Sequence, residues 1–264
     1  MLRQSKAMRI WNILYPVCIY FAVTTMALYL IHFIIPEASE SKLFCQLLTS
    51  LAVLPVLISF YLQDEKLRGK EASFHAPRIS LGSAAKIMGM FFAGGCFALA
   101  LNNLLGMLQI ASYSSSYSQI AKTFYAGRLL LEIVSLCIVI PIAEELLYRG
   151  IVYGRTRDWL GKRCAMVVSA IVFGLIHMNL VQFVYAAIFG LLLAYFMELS
   201  ESIFGAVAAH MAANLTSVLR AETGAFAFME NRTAFLASTV LLFAAAAGGV
   251  FWMSRKEGKN SPRT

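Results

Sequence analysis

Eight runs of this chain are apolar almost without interruption, and a run of about 20 such residues has few places to go. At 1.5 Å per residue it matches the roughly 30 Å of hydrocarbon in a bilayer, where every backbone N–H and C=O must be satisfied internally. The runs are Trp11–Ile35, Leu43–Leu62, Ile87–Ile110, Leu129–Arg149, Cys164–Met178, Leu180–Leu199, Ser202–Leu219 and Thr233–Met253. Strands of a membrane barrel alternate apolar and polar residues over about ten positions, and these runs do not alternate. Only 14% of the 264 residues are charged and 59% are hydrophobic, against about 25% charged in a soluble domain. The expected fold is therefore all-α, a polytopic membrane helical bundle of about eight transmembrane helices.

Charge placement gives the bundle a direction. With the N-terminus inside, 17 of the 22 Lys and Arg residues fall on inner segments. These are Arg3, Lys6 and Arg9, then Lys66, Arg68, Lys70, Arg78 and Lys86, then Arg149, Arg155, Arg157, Lys162 and Arg163, and finally Arg255, Lys256, Lys259 and Arg263. Lys42, Lys122, Arg128, Arg220 and Arg232 are left outside. Lys and Arg accumulate on the cytoplasmic side, so both termini are expected there. The net charge of +8 then finds its partner in anionic membrane lipids. No nucleic acid partner is expected, because the basic residues flank spans and form no dense stripe. The apolar core after Arg9 is longer than the 7–15 residues or so of a signal peptide and reads as a retained span. The five cysteines are odd in number, irregularly spaced and without a CxxC, which indicates buried free thiols.

Function is unevenly spread along the chain. Residues 1–128 read as scaffold helices, with Pro16 and Pro55 inside spans and His32 near a span end. In the third span, Asn102 and Asn103 suit hydrogen bonds to a neighbouring helix. The segment Gln63–Arg78 reads as a charged inner loop, and Ala111–Gly127 as an outer loop bordering a path for substrate. Residues 129–220 hold the chemistry, and 221–264 supply a last span and a basic tail. Ionisable groups are costly in hydrocarbon and are kept for pairing or for function. Acidic residues inside the predicted spans are confined to Glu132, Glu144, Glu145 and Glu198. Two of the four histidines, His177 and His210, lie in the spans of this second half as well.

Three short segments carry these groups. In PIAEELLYRG, Glu145 and Arg149 stand at i,i+4, in the order that best suits an ion pair on a helix. Successive residues diverge by about 100°, so Glu144 is left to face a cavity as a general base. In FGLIHMN, Phe173 and His177 share a face, and ring packing would fix the imidazole. In AAHMAANL, His210 and Asn214 share a face, while Ala208, Ala209, Ala212 and Ala213 let another helix come close. Each segment alone also suits a bland role: a helix-end ion pair, a core histidine bonded to a carbonyl, or polar glue. Their depths favour a common site. Measured along helices from inner-surface charges, Glu144, His177 and His210 lie roughly 16, 21 and 14 Å in.

Such a set supports two kinds of hydrolytic centre. In one, Glu144 and His177 activate a water while His210 and Asn214 donate to the oxyanion. In the other, His177, His210 and Glu144 ligate a zinc ion, the one cofactor these residues leave open. Other hydrolytic schemes find no support. The only aspartates, Asp64 and Asp158, fall in loops, and neither HExxH nor GxSxG occurs.

The ordered set EExxxR (Glu144-Glu145 to Arg149), FxxxH (Phe173 to His177) and HxxxN (His210 to Asn214) resembles the CPBP family of intramembrane proteases, also called the Abi or CAAX protease family. The resemblance covers about Leu129–Leu215. It implies that Glu144 and His177 activate water and that His210 and Asn214 stabilise the oxyanion. It implies structural support from Glu145 and Arg149, and it leaves the involvement of a metal open. The expected function is an endopeptidase acting on a membrane-associated peptide or protein, in a bacterial plasma membrane. A non-catalytic immunity or scaffold protein that binds a peptide or a membrane partner is the alternative. A transporter ranks third, since no inverted repeat or paired broken helices are present.

Overall fold

Each apolar run becomes a helix. The computed structural model of the chain describes residues 5–69, 81–108, 128–226 and 232–260. Among these residues the helices are α1 (Lys6–Ile34), α2 (Lys42–Leu67), α3 (Leu81–Met107), α4 (residues 129–160), α5 (Lys162–Leu175), α6 (Leu180–Ser200), α7 (Ile203–Glu222) and α8 (Arg232–Asn260). A short 3-10 turn, Pro36–Glu40, links α1 to α2, and no strand occurs among the described residues. The expected outer loop Ala111–Gly127 lies outside them, as does the second half of the inner segment Gln63–Arg78.

The protein is a helical membrane bundle. α1, α2, α3, α6 and α8 are each long and apolar enough to cross a bilayer. Large apolar side chains stand outward, among them Phe33 at 84% exposed and Leu130 at 77%. A soluble monomer rarely shows such a surface, whereas lipid tails match it. Pro16 and Pro55 lie within uninterrupted helices.

The charged ends of α2 and α4 depart from the expected loops. Asp64 and Asp158 are helical, the first near the end of α2 and the second near the end of α4. Helices continue past the apolar runs because their charged ends pair across the bundle. Arg155 Nε and Nη2 donate to the two Asp64 oxygens at 2.7 and 3.0 Å, and Nη1 donates to the Asn12 carbonyl of α1. Arg68 binds Asp158 at 2.8 Å. Glu198, one of the acidic residues inside a predicted span, ends α6 and accepts Lys162 Nζ at 2.7 Å. It is a structural ion pair.

α4 is the axis of the bundle. It packs against α1, α2, α5 and α7, and every residue of Leu146–Tyr153 is buried. Two π-helical stretches, Ile133–Val139 and Leu146–Tyr153, flank a short α-helical piece, Ile140–Glu145. Such wide turns are rare in helices and concentrate at functional sites. One core runs through the chain, from Leu57 of α2 and Met90 of α3 through Leu147, Phe173 and Phe189 to Met253 of α8. The scaffold segment 1–128, the segment 129–220 and the last helix thus share it.

Small residues set the approach of α3 to α7, as the alanines of AAHMAANL suggest. A Cβ on Gly94 would lie 2.6 Å from the Ala209 Cβ and 2.8 Å from its carbonyl oxygen. Gly95 faces Ala212. Farther along, Asn103 Nδ2 donates to Thr239 of α8 at 3.1 Å and its Oδ1 accepts Arg220 of α7 at 2.8 Å. The expected interhelical role of Asn103 is borne out.

Because Ala209 presents backbone as well as side chain to Gly94, no rotamer change relieves a larger residue there. Gly94→Val should destabilise the protein by about 1–3 kcal/mol, the usual cost of overpacking, read as a lower thermal midpoint in detergent. An unchanged midpoint would mean that α3 is not held this closely.

Candidate active site

The EExxxR segment folds as its spacing predicts. Arg149 Nη1 donates to Glu145 Oε1 at 2.9 Å, with both side chains fully buried. The pair does not stand alone. His210 Nδ1 reaches the same carboxylate oxygen at 2.8 Å, so Glu145 Oε1 accepts from α4 and α7 together. A carboxylate only accepts, so the hydrogen of this bond belongs to Nδ1. On the other side of the ring, His210 Nε2 faces Glu144 Oε2 at 3.6 Å. The two adjacent glutamates, pointing apart along α4, thus embrace one imidazole of α7. Arg149 completes the chain by donating Nη2 to the Gly190 carbonyl of α6 at 3.2 Å.

Phe173 holds the remaining parts together. Its ring receives the Arg149 guanidinium at 4.4 Å, a buried cation–π contact. His177 stands edge-on to the same ring at 5.2 Å, and His210 does so at 5.6 Å. One aromatic ring therefore separates the two imidazoles.

His177 is not inside a helix. α5 is only 14 residues long and ends at Leu175. His177 belongs to the turn before α6, where Met178 has a φ of +52° and Asn179 caps α6 by accepting from Val181 and Gln182. The last carbonyls of a helix lack intrahelical partners. His177 Nδ1 takes one of them, donating to Phe173 O at 2.9 Å. This fixes Nδ1–H and leaves Nε2 as the accepting nitrogen of the neutral ring.

Asn214 carries a bond that its spacing to His210 did not disclose: its Nδ2 donates to Leu136 O at 2.7 Å. The cause lies in α4. In the π register of Ile133–Val139, the Ile140 N–H bonds to the Ser135 carbonyl. The next donor in that register would serve Leu136, but residue 141 is proline and has no N–H. Asn214 supplies the missing donor from α7. Its second amide hydrogen is not part of this bond.

Two residues entered the site without a signal in the motifs. A Cβ on Gly190 would lie 3.0 Å from Arg149 Nη2 and 3.2 Å from the Ala170 backbone, so its small size admits the guanidinium. Tyr148, one residue before Arg149, packs its ring on Phe173 at 5.1 Å.

The zinc reading needs His177, His210 and Glu144 as one donor set. Among the described residues, no group of three or more His, Cys, Asp or Glu side chains is arranged to hold a metal ion. His210 turns both nitrogens to carboxylates, and His177 Nδ1 is bonded to a carbonyl. In this arrangement the donors do not fit a zinc centre.

Comparison with known families bears on this cluster. Residues 126–216 match the Rce1-like family, described as type II CAAX prenyl endopeptidase Rce1-like. The match spans all three motifs and bears out the CAAX protease resemblance. No curated protein and no solved structure matches the chain.

Two outcomes test this geometry. Removing one partner of a buried ion pair costs about 3–5 kcal/mol, because a charge is left uncompensated. Arg149→Met should therefore lower the thermal midpoint sharply, and adding Glu145→Gln should recover part of the loss. No recovery in the double variant would show that the two charges do not depend on each other. Similarly, Asn214→Leu leaves the Leu136 carbonyl without its donor, at about 1–3 kcal/mol. In a Pro141→Ala background the same change should cost less, since an alanine at that position restores the N–H; equal losses would refute the shared carbonyl.

Proposed function

We propose that this protein is an intramembrane endopeptidase that hydrolyses a peptide bond of a membrane-associated peptide or protein, near its C-terminus or at a span boundary. The observation that carries the reading is the buried cluster Glu144, Glu145, Arg149 and His210, inside a segment that matches a CAAX endopeptidase family. The Lys and Arg distribution supports an orientation with both termini in the cytoplasm.

The chemistry needs a water, a base and donors for a growing negative charge. Glu144 is the base: its side chain is 16% exposed, whereas Glu145 is fully buried and engaged by Arg149 and His210. It takes the water's proton as the oxygen attacks the carbonyl carbon, then returns it to the departing nitrogen. His177 Nε2, left as the accepting nitrogen, orients the same water. His210 and Asn214 serve the oxyanion. In its imidazolium form His210 donates from Nε2 while Glu145 holds Nδ1, much as a buried carboxylate orients the histidine of a hydrolase triad. Asn214 contributes its second amide hydrogen. Arg149 and Glu145 keep these groups in place.

Purified protein in proteoliposomes with a library of membrane-bound peptides provides the test. Wild type should release fragments. Glu144→Gln preserves the shape of the side chain and His177→Ala removes the imidazole; each should lower the rate by at least about 100-fold, as for loss of a general base. Undiminished cleavage in both variants would remove this mechanism. Full biological activity in the Glu144→Gln variant would instead favour a non-catalytic binding protein.

A further inference from the structure

Most polar hydrogens around the cluster have an identified acceptor. His210 Nδ1 donates to Glu145, His177 Nδ1 to Phe173 O, Asn214 Nδ2 to Leu136 O, and Arg149 to Glu145 and Gly190. Two buried donors are different: Arg149 Nε, whose guanidinium lies over the Phe173 ring, and the Tyr148 hydroxyl, on a residue 1% exposed, have no hydrogen-bond partner among the described residues. A buried O–H without a partner is costly and calls for an explanation.

Its position narrows the explanation. Tyr148 stands at i,i+4 from Glu144, as Arg149 does from Glu145. The Tyr148 ring is pinned on Phe173, the same ring that contacts His177 and His210. The donor is thus buried, held by ring packing and one helical turn from the proposed base. Of the two groups expected to serve an oxyanion, His210 has committed Nδ1 and Asn214 one amide hydrogen, whereas the Tyr148 O–H has no competing acceptor.

We infer that Tyr148 is a further catalytic residue, whose hydroxyl donates to the carbonyl oxygen of the scissile bond as negative charge develops there. This rests on the endopeptidase reading above. No bond to Tyr148 forms or breaks: the phenol keeps its proton, and the hydrogen bond strengthens as the carbonyl becomes an oxyanion. A competing structural reading exists, because Glu145 Oε2 is also buried without a partner and a water could join it to the phenol. That role would affect stability, not turnover.

The experiment uses the full chain in proteoliposomes, with a peptide cleaved by the wild type and its analogue bearing a thioamide at the scissile bond. Tyr148→Phe keeps the ring packing. Its kcat should fall about 100-fold, in the range for loss of one oxyanion donor, with KM and thermal midpoint little changed. Sulfur accepts hydrogen bonds poorly, so the wild type should discriminate between amide and thioamide more strongly than the variant does. A wild-type kcat in Tyr148→Phe, with Glu144→Gln inactive, overturns the inference and leaves the endopeptidase reading intact. A drop in midpoint with unchanged kcat per folded molecule assigns Tyr148 the structural role and likewise overturns it. Full cleavage by Glu144→Gln defeats the reading itself.

Discussion

The carboxylate of Glu145 is the point on which this bundle turns. A fully buried charge is tolerated only when its partners are close and well oriented, since desolvation costs several kcal/mol per ion. Glu145 meets that condition with Arg149 at 2.9 Å and His210 at 2.8 Å, both on one oxygen. The arrangement fixes the rotation of α4, because a turned helix would break two charged contacts at once. It also fixes the depth of α7, which must bring His210 level with that oxygen. α6 is drawn in through Gly190, whose carbonyl accepts the other arm of Arg149. Three helices are thereby registered by one ionic group, in a medium where apolar surface alone supplies little specificity.

Phe173 extends this order to α5. Aromatic faces attract cations and aromatic edges meet at right angles, and this ring uses both properties. Arg149 covers its face, and two imidazoles approach near perpendicular, at 88° and 78°. The ring therefore sets the orientation of both histidines without offering a hydrogen bond that would compete with substrate or water. The Phe of FxxxH is accordingly a spacer between His177 and His210 as well as a packing partner of the first.

Much of this was legible in the chain. Continuous apolar runs predicted eight helices, and the i,i+4 spacing predicted the Glu145–Arg149 pair. The alanines around His210 predicted a close helix neighbour, which Gly94 supplies, and Asn103 formed its interhelical bonds. What spacing could not show was where helices stop. The turn holding His177 depends on a left-handed Met178 and an Asn179 cap, whereas the run Cys164–Met178 reads as helix to its end. Asp64 and Asp158 read as loop residues because polarity marks the end of a span, yet cross-helix pairing to Arg155 and Arg68 extends α2 and α4 beyond the apolar runs. Gly190 and Tyr148 carry no motif, and their significance appears only when distant segments meet.

The Pro141–Asn214 relation shows why local periodicity could not have been enough. Proline in a helix removes a donor, and the loss is tolerated in membranes when a neighbouring helix re-satisfies the carbonyl. Here the carbonyl is Leu136 O and the replacement is a side chain 78 positions away. The wide π turns displace that carbonyl from the ordinary i−4 register, so its acceptor state follows from backbone geometry and not from composition. One amide hydrogen of Asn214 keeps the broken turn of α4 intact directly before Glu144 and Glu145, and the other takes no part in that bond. The helix that bears the glutamates is thus held in its irregular form by a residue of α7 one turn from His210, which couples the shape of α4 to the assembly of the site.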